Sequence, residues 1–190
     1  MGSQRSWSAV LPMIDRIKKR IENLDEATEG ATLIEPTIFP VASEATIRAA
    51  EAELGLRLPT LLRELYKQVG NGGYGPGYGL MGVASGATDD LGNNIVDLYH
   101  WYRRENPNDV RWSWPASLVP VCHLGCAMYA CVDCSEDAGR MIWFEPNLHE
   151  EGEPWDSCFV PLADSMENWL VGWLQGRALP NAATTGGLGG

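Results

Sequence analysis

The order of elements along the chain predicts an α+β fold: one domain, with helices packed on a mainly antiparallel sheet. Three observations carry this. Amphipathic helical segments occupy most of residues 6–105. Short apolar runs of strand length, divided by tight turn signals, follow between residues 117 and 163. A helix bearing two tryptophans closes the sequence.

The first helix is read over residues 6–24. Ser6 can cap it, and Trp7, Val10, Leu11, Ile14, Ile17, Ile21 and Leu24 recur at spacings of three and four. Lys18, Lys19 and Arg20 come late, where they suit the negative end of the helix dipole. Residues 25–40, with Pro36 and Pro40, read as a loop. Ser43 then caps EATIRAAEAEL, which Gly55 ends. Leu58-Pro59 opens the next helix, PTLLRELYKQV. A fourth is read from Asn94 to Glu105, with Ile95, Leu98, Tyr99 and Tyr102 on one face and Pro107 beyond. The extended runs are SLVPVCHL, AMYACVDC, RMIWFEP and CFVPLA, separated by Gly125, by SEDAG and by the acidic loop NLHEEGEPWD. Asp164 or Ser165 starts the closing helix, MENWLVGWLQG. Residues 1–39 form a helix and linker, 40–176 the α+β domain, and 177–190 a flexible tail rich in glycine and small residues.

The glycine-rich stretch GNGGYGPGYGL, residues 70–80, matches G-x-G-x-x-G at Gly70, Gly72 and Gly75, with Asp90 about twenty residues on. A dinucleotide cradle needs that stretch after a strand and before a helix, so that the helix N–H groups meet the pyrophosphate. Here a helix precedes it and the apolar, extended YGLMGVA follows. The stretch is a helix-to-strand turn that needs several residues at positive φ.

The 190 residues carry a net charge of −11. Residues 86–160 hold thirteen acids and four bases, a net of −9, while residues 1–85 and 161–190 each contribute −1. Such a segment repels a phosphate backbone, which excludes direct nucleic-acid binding. It suits either a basic protein partner or plain solvation of the surface. No apolar run approaches the ~18–20 residues of a membrane helix, and the N-terminus lacks the long apolar core of a signal peptide. Five cysteines without an export signal indicate reduced thiols and a cytoplasmic protein.

Catalytic chemistry finds little support. There is no G-x-S-x-G and no S-x-x-K. Cys122 and His123 are adjacent in a strand, so they face opposite ways. His100 and His149 stand alone in sequence. Cys122, His123, Cys126, Cys131 and Cys134 could ligate zinc, but the spacing matches no standard knuckle, and buried thiols are the alternative. No cofactor, metal site or catalytic residue is assigned. Trp143, Trp169 and Trp173 fall at core spacing. Trp155 lies among Glu150, Glu151, Glu153 and Asp156. It is either an aromatic anchor ringed by acids, the composition of an interface hot spot, or a loop residue folded back on the sheet. Asp133, Glu136 and Asp137 form a second acidic turn that would extend the same face, with Glu145 between the two.

The string PVASEATIRAAEAELGLRLPTLLRELYKQVGNGGYGPGYGL resembles the start of the Smi/Knr family, part of the SUKH superfamily. The matching positions are Ile47, Glu51, Leu54, Gly55, Leu58, Pro59, Asn71, Gly72, Gly73, Tyr78, Gly79 and Leu80. LVPVCHLGCAMYACVDC and the final tryptophan helix resemble the family's central strands and closing helix, so the likeness spans roughly residues 40–175. It implies an α+β fold and, in bacteria, an immunity protein that neutralises a polymorphic toxin domain, often a nuclease or deaminase, by tight binding. Fungal relatives act as scaffolds in cell-wall assembly signalling. Neither role needs a catalytic residue. The expected partner is a basic cognate toxin, met through Asp133, Glu136, Asp137, Glu145, Glu150, Glu151, Glu153, Trp155 and Asp156. Leu58, Pro59, Asn71, Gly72, Gly73, Tyr78 and Gly79 are expected to build the fold.

Overall fold

A computed structural model describes residues 4–23, 32, 36–106 and 108–177. Its helices are α1 (Gln4–Glu22), α2 (Glu44–Leu54), α3 (Thr60–Gln68), α4 (Ile95–Tyr102) and α5 (Met166–Leu174). Its strands are β1 (Leu118–Gly125), β2 (Met128–Asp133), β3 (Met141–Phe144) and β4 (Phe159–Ala163). The strands form one antiparallel sheet in the order β1-β2-β3-β4. Helices packed with this sheet make the protein α+β.

Helix α1 begins two residues before the expected cap and runs through Pro12. Its Met13, Ile14 and Ile17 are buried, and it packs against α3 and α5. The Trp7 side chain, residues 24–31 of the linker and tail residues 178–190 lie outside the described set. The helix α2 starts as its cap dictates: the Ser43 hydroxyl accepts from Thr46 N at 3.0 Å, and Gly55 closes it in the left-handed conformation at φ 66°. Glu51 of α2 and Leu58 are then tied together, since Glu51 Oε1 accepts from Leu58 N at 2.9 Å. Asn94 caps α4 in a reciprocal box with Asp97. The helix stops at Tyr102, the last residue of its apolar face and three residues short of the expected end at Glu105.

The glycine loop leaves α3 and returns along the sheet. Leu80 forms a bridge to Cys122, and Met81 N donates to Val121 O at 2.8 Å, so this segment lines the outer edge of β1. No helix begins at its end. Gly73 leaves the least room for a side chain: its φ is +89°, and a Cβ would lie 1.7 Å from Thr37 O. Asn71 is buried beside it. Its Oδ1 accepts from Val83 N at 2.9 Å, and its Nδ2 donates to Ala84 O at 3.0 Å, which fixes the turn that follows.

The hairpin tip between β1 and β2 is Cys126–Ala127, both at positive φ, and Gly125 is the last residue of β1. A two-residue tip of this kind matches the twist of the flanking strands. Strands β1 and β2 are buried on both faces, which explains their near-continuous apolar sequence. Strand β4 is the edge, half-exposed, with Pro161 in the middle. Trp143, Trp169 and Trp173 are all core residues.

Candidate protein-binding surface

The register of the sheet decides where the acidic segments go. Leu118, Asp133 and Met141 mark one end; Met128, Phe144 and Phe159 mark the other. In an antiparallel meander, successive connections fall at opposite ends. The 134–140 turn therefore lies at the first end and the 145–158 loop at the second. The expectation that the two acidic segments extend one face does not hold.

At the first end, Asp133 is half-buried and accepts from Ser135 N at 2.9 Å. Glu136 is exposed. Asp137 Oδ1 accepts from Thr60 N and Thr60 Oγ1, both at 2.8 Å, and so holds the start of α3.

At the second end, Glu145 turns inward. It is 2% exposed, and its Oε1 accepts from Asn147 N at 2.9 Å, so it shapes the loop instead of facing a partner. Glu150, Glu151, Glu153 and Asp156 are exposed on the same loop. Trp155 is half-buried and does fold inward. Its ring stacks on His149 at 3.9 Å and 7°, and meets Trp112 edge-on at 4.7 Å. Its indole N–H donates to Asp109 Oδ2 at 2.6 Å. That bond, with a second from Arg111 N, holds the Asp109 carboxyl below the usual carboxylate range.

The C-terminal end of α4 supplies the rest of this surface. Tyr102 stacks on Trp114 at 4.5 Å and packs edge-on against Tyr129 and Phe144, which plants the helix end on the sheet. Trp112 donates its indole N–H to Tyr102 O at 2.8 Å. Trp101 points away from the core and is 61% exposed. Trp101, Tyr102, Trp112 and Trp155 thus line an open cavity of about 390 Å³, together with Arg104, Glu105 and Asn106. Spacing alone does not assign Trp101, Tyr102, Trp112 or Asp109 to a common site. They come from a helix end and a loop, and pair with a residue 46 positions away from Asp109.

The cysteines are dispersed. Cys126 is exposed at the hairpin tip, while Cys122, Cys131 and Cys158 are buried. The Cys122 thiol donates to Pro76 O at 3.1 Å, and burial pushes its pKa well up; burial raises Cys134 to about 12. Neither thiol is poised as a thiolate nucleophile. His123 packs between the Tyr78 and Tyr129 rings, each at 5.2 Å. Among the described residues, no group of three His, Cys, Asp or Glu side chains is placed to hold a metal ion. No described helix is long and apolar enough to cross a membrane.

The family model for the SMI1 / KNR4 family (SUKH-1) matches residues 41–172. The chain belongs to the SMI1/KNR4 family. No curated protein matches it. The matched SUKH-1 span takes in α2 through most of α5, and therefore the whole sheet, the glycine loop and the aromatic cavity. Helix α1 lies outside it, docked on α3 and α5. Within the SUKH-1 span, the family-type residues Leu58, Pro59, Asn71, Gly72, Gly73 and Gly79 sit in turns between elements, whereas Tyr78 is partly exposed and stacks on His123.

Proposed function

We propose that this SUKH-1 chain is a cytoplasmic immunity protein: a non-enzymatic inhibitor that neutralises a cognate toxin domain, of nuclease or deaminase type, by tight binding. Family membership supports this reading, since it is consistent with immunity roles. The observation that carries it at the level of residues is the second end of the sheet. There an open aromatic cavity is bordered by the loop that bears Glu150, Glu151, Glu153 and Asp156. Large, rigid aromatic surface beside a rim in which carboxylates outnumber arginines suits a protein interface, and a basic partner is the one it attracts.

The test is a growth assay. The DNA flanking this gene is sequenced, and the C-terminal domain of any large exported protein encoded there is expressed with and without this chain. Killing relieved by this chain alone is the expected result. Killing that it does not relieve would overturn the immunity reading.

A further inference from the structure

We propose that the aromatic cavity at the end of α4 receives an arginine side chain from the basic partner, its guanidinium held against Trp101 with Glu105 as counter-charge. This rests on the reading of the chain as a binding protein.

Three observations lead there. First, the cavity has the size of a specific pocket, about 390 Å³ against the ~300 Å³ at which small-molecule sites begin. Three tryptophans and a tyrosine line it, and tryptophan is the ring that holds a cation best. Second, the surroundings are anionic. Leaving out the inward-turned Glu145, residues 100–112 and 145–158 carry six acids and three arginines, a net of −3. Glu105 lines the cavity itself, and Glu153 and Asp156 flank Trp155 in sequence. Third, the protein already places a guanidinium there. Arg104 sits over the Trp101 ring, with Cζ 5.1 Å from the centroid. Arg104 is exposed and follows the helix end, so an incoming arginine can replace it on Trp101 without disturbing the core. A planar, weakly hydrated guanidinium suits this slot better than a lysine ammonium, because it stacks on the ring and directs a fork of N–H donors to a carboxylate.

The test uses the full chain, 15N-labelled, titrated with octa-arginine, octa-lysine and octa-glutamate at low salt while the indole N–H resonances are followed. Octa-arginine is expected to shift the resonances of Trp101, Trp112 and Trp155 and leave buried Trp143 in place, with octa-lysine binding more weakly. Trp101→Ala, at an exposed position, and Glu105→Gln are each expected to weaken octa-arginine roughly fivefold, whereas Glu53→Gln on α2 serves as a charge control. Three results would each overturn the proposal: no shift at those indoles, equal binding of octa-glutamate, or a dimer of the free protein that Trp101→Ala dissociates, since a second copy would then fill the cavity. The growth assay separates this proposal from the function. Wild-type rescue that Trp101→Ala matches, with unchanged toxin affinity, sinks the arginine site and leaves immunity standing. Failure of the wild type to rescue sinks immunity whatever the peptides do.

Discussion

Trp155 and Asp109, 46 residues apart in sequence, are joined by an indole N–H to carboxylate hydrogen bond of 2.6 Å. This bond fastens the acidic loop to the segment after α4. Because it lowers the folded-state pKa of Asp109, its contribution is fully present above the unfolded aspartate value of ~4 and is lost as pH falls through the folded value. In an acid titration the Trp155 indole resonance is expected to move toward its unbonded position below pH ~4. Asp109→Asn should abolish that dependence while leaving the Trp143 resonance unaffected.

Arg63 and Arg48 both pair with Glu44, but in different surroundings. Arg63 also grips Glu51, with side-chain exposures of 12% and 14%, whereas Arg48 is 74% exposed. Removing Arg63 strands a partly buried carboxylate that also holds Leu58 N. Arg63→Met is therefore expected to cost about 2 kcal/mol in urea unfolding, and Arg48→Ala no more than about 0.5 kcal/mol. Equal costs would mean that burial of the pair does not matter here.

Two glycines at similar positive φ give a cleaner comparison. Gly55 has open space where a Cβ would stand, but Gly73 has Thr37 O at 1.7 Å. Gly55→Ala meets only the left-handed backbone penalty, about 1 kcal/mol. Gly73→Ala adds a steric clash with backbone and is expected to cost at least about 3 kcal/mol, seen as a lowered midpoint or loss of folded protein.

Charge on the 145–158 loop is expected to govern encounter with the toxin. Reversing Glu150, Glu151 and Glu153 together to lysine should slow association about tenfold at low salt and flatten its salt dependence. Glu136→Lys, at the other end of the sheet, should change the rate far less, because screening confines a surface charge to about 8–10 Å. Stopped-flow binding at two salt concentrations reads both.

Much of the fold is legible in the sequence because its signals are local. Ser43, Asn94 and Ser165 accept from backbone N–H groups within the first turn of their own helices, and the strand runs end at turns set by nearby residues. Where a short-range rule competes with a neighbour, the reading drifts. With Pro107 as the stop signal, α4 reads on to Glu105, but the helix ends at Tyr102, whose ring stacks on Trp114. Gly125 reads as the turn, although the tip is Cys126–Ala127.

The candidate surface was legible only in part. The acids of 150–156 and their tryptophan fall within seven residues, so composition exposes them. Trp101, Trp112 and Asp109 are not, and nothing in their spacing says that they meet Trp155.

By itself, the sequence determined the α+β class, the order of elements and the family, since each depends on residues close together or on a contiguous pattern. Only the tertiary structure decided that the two acidic segments part to opposite ends of the sheet, that Glu145 turns inward, and that four aromatic rings gather into one cavity. Those outcomes depend on strand register and on contacts between distant segments, which no local pattern encodes.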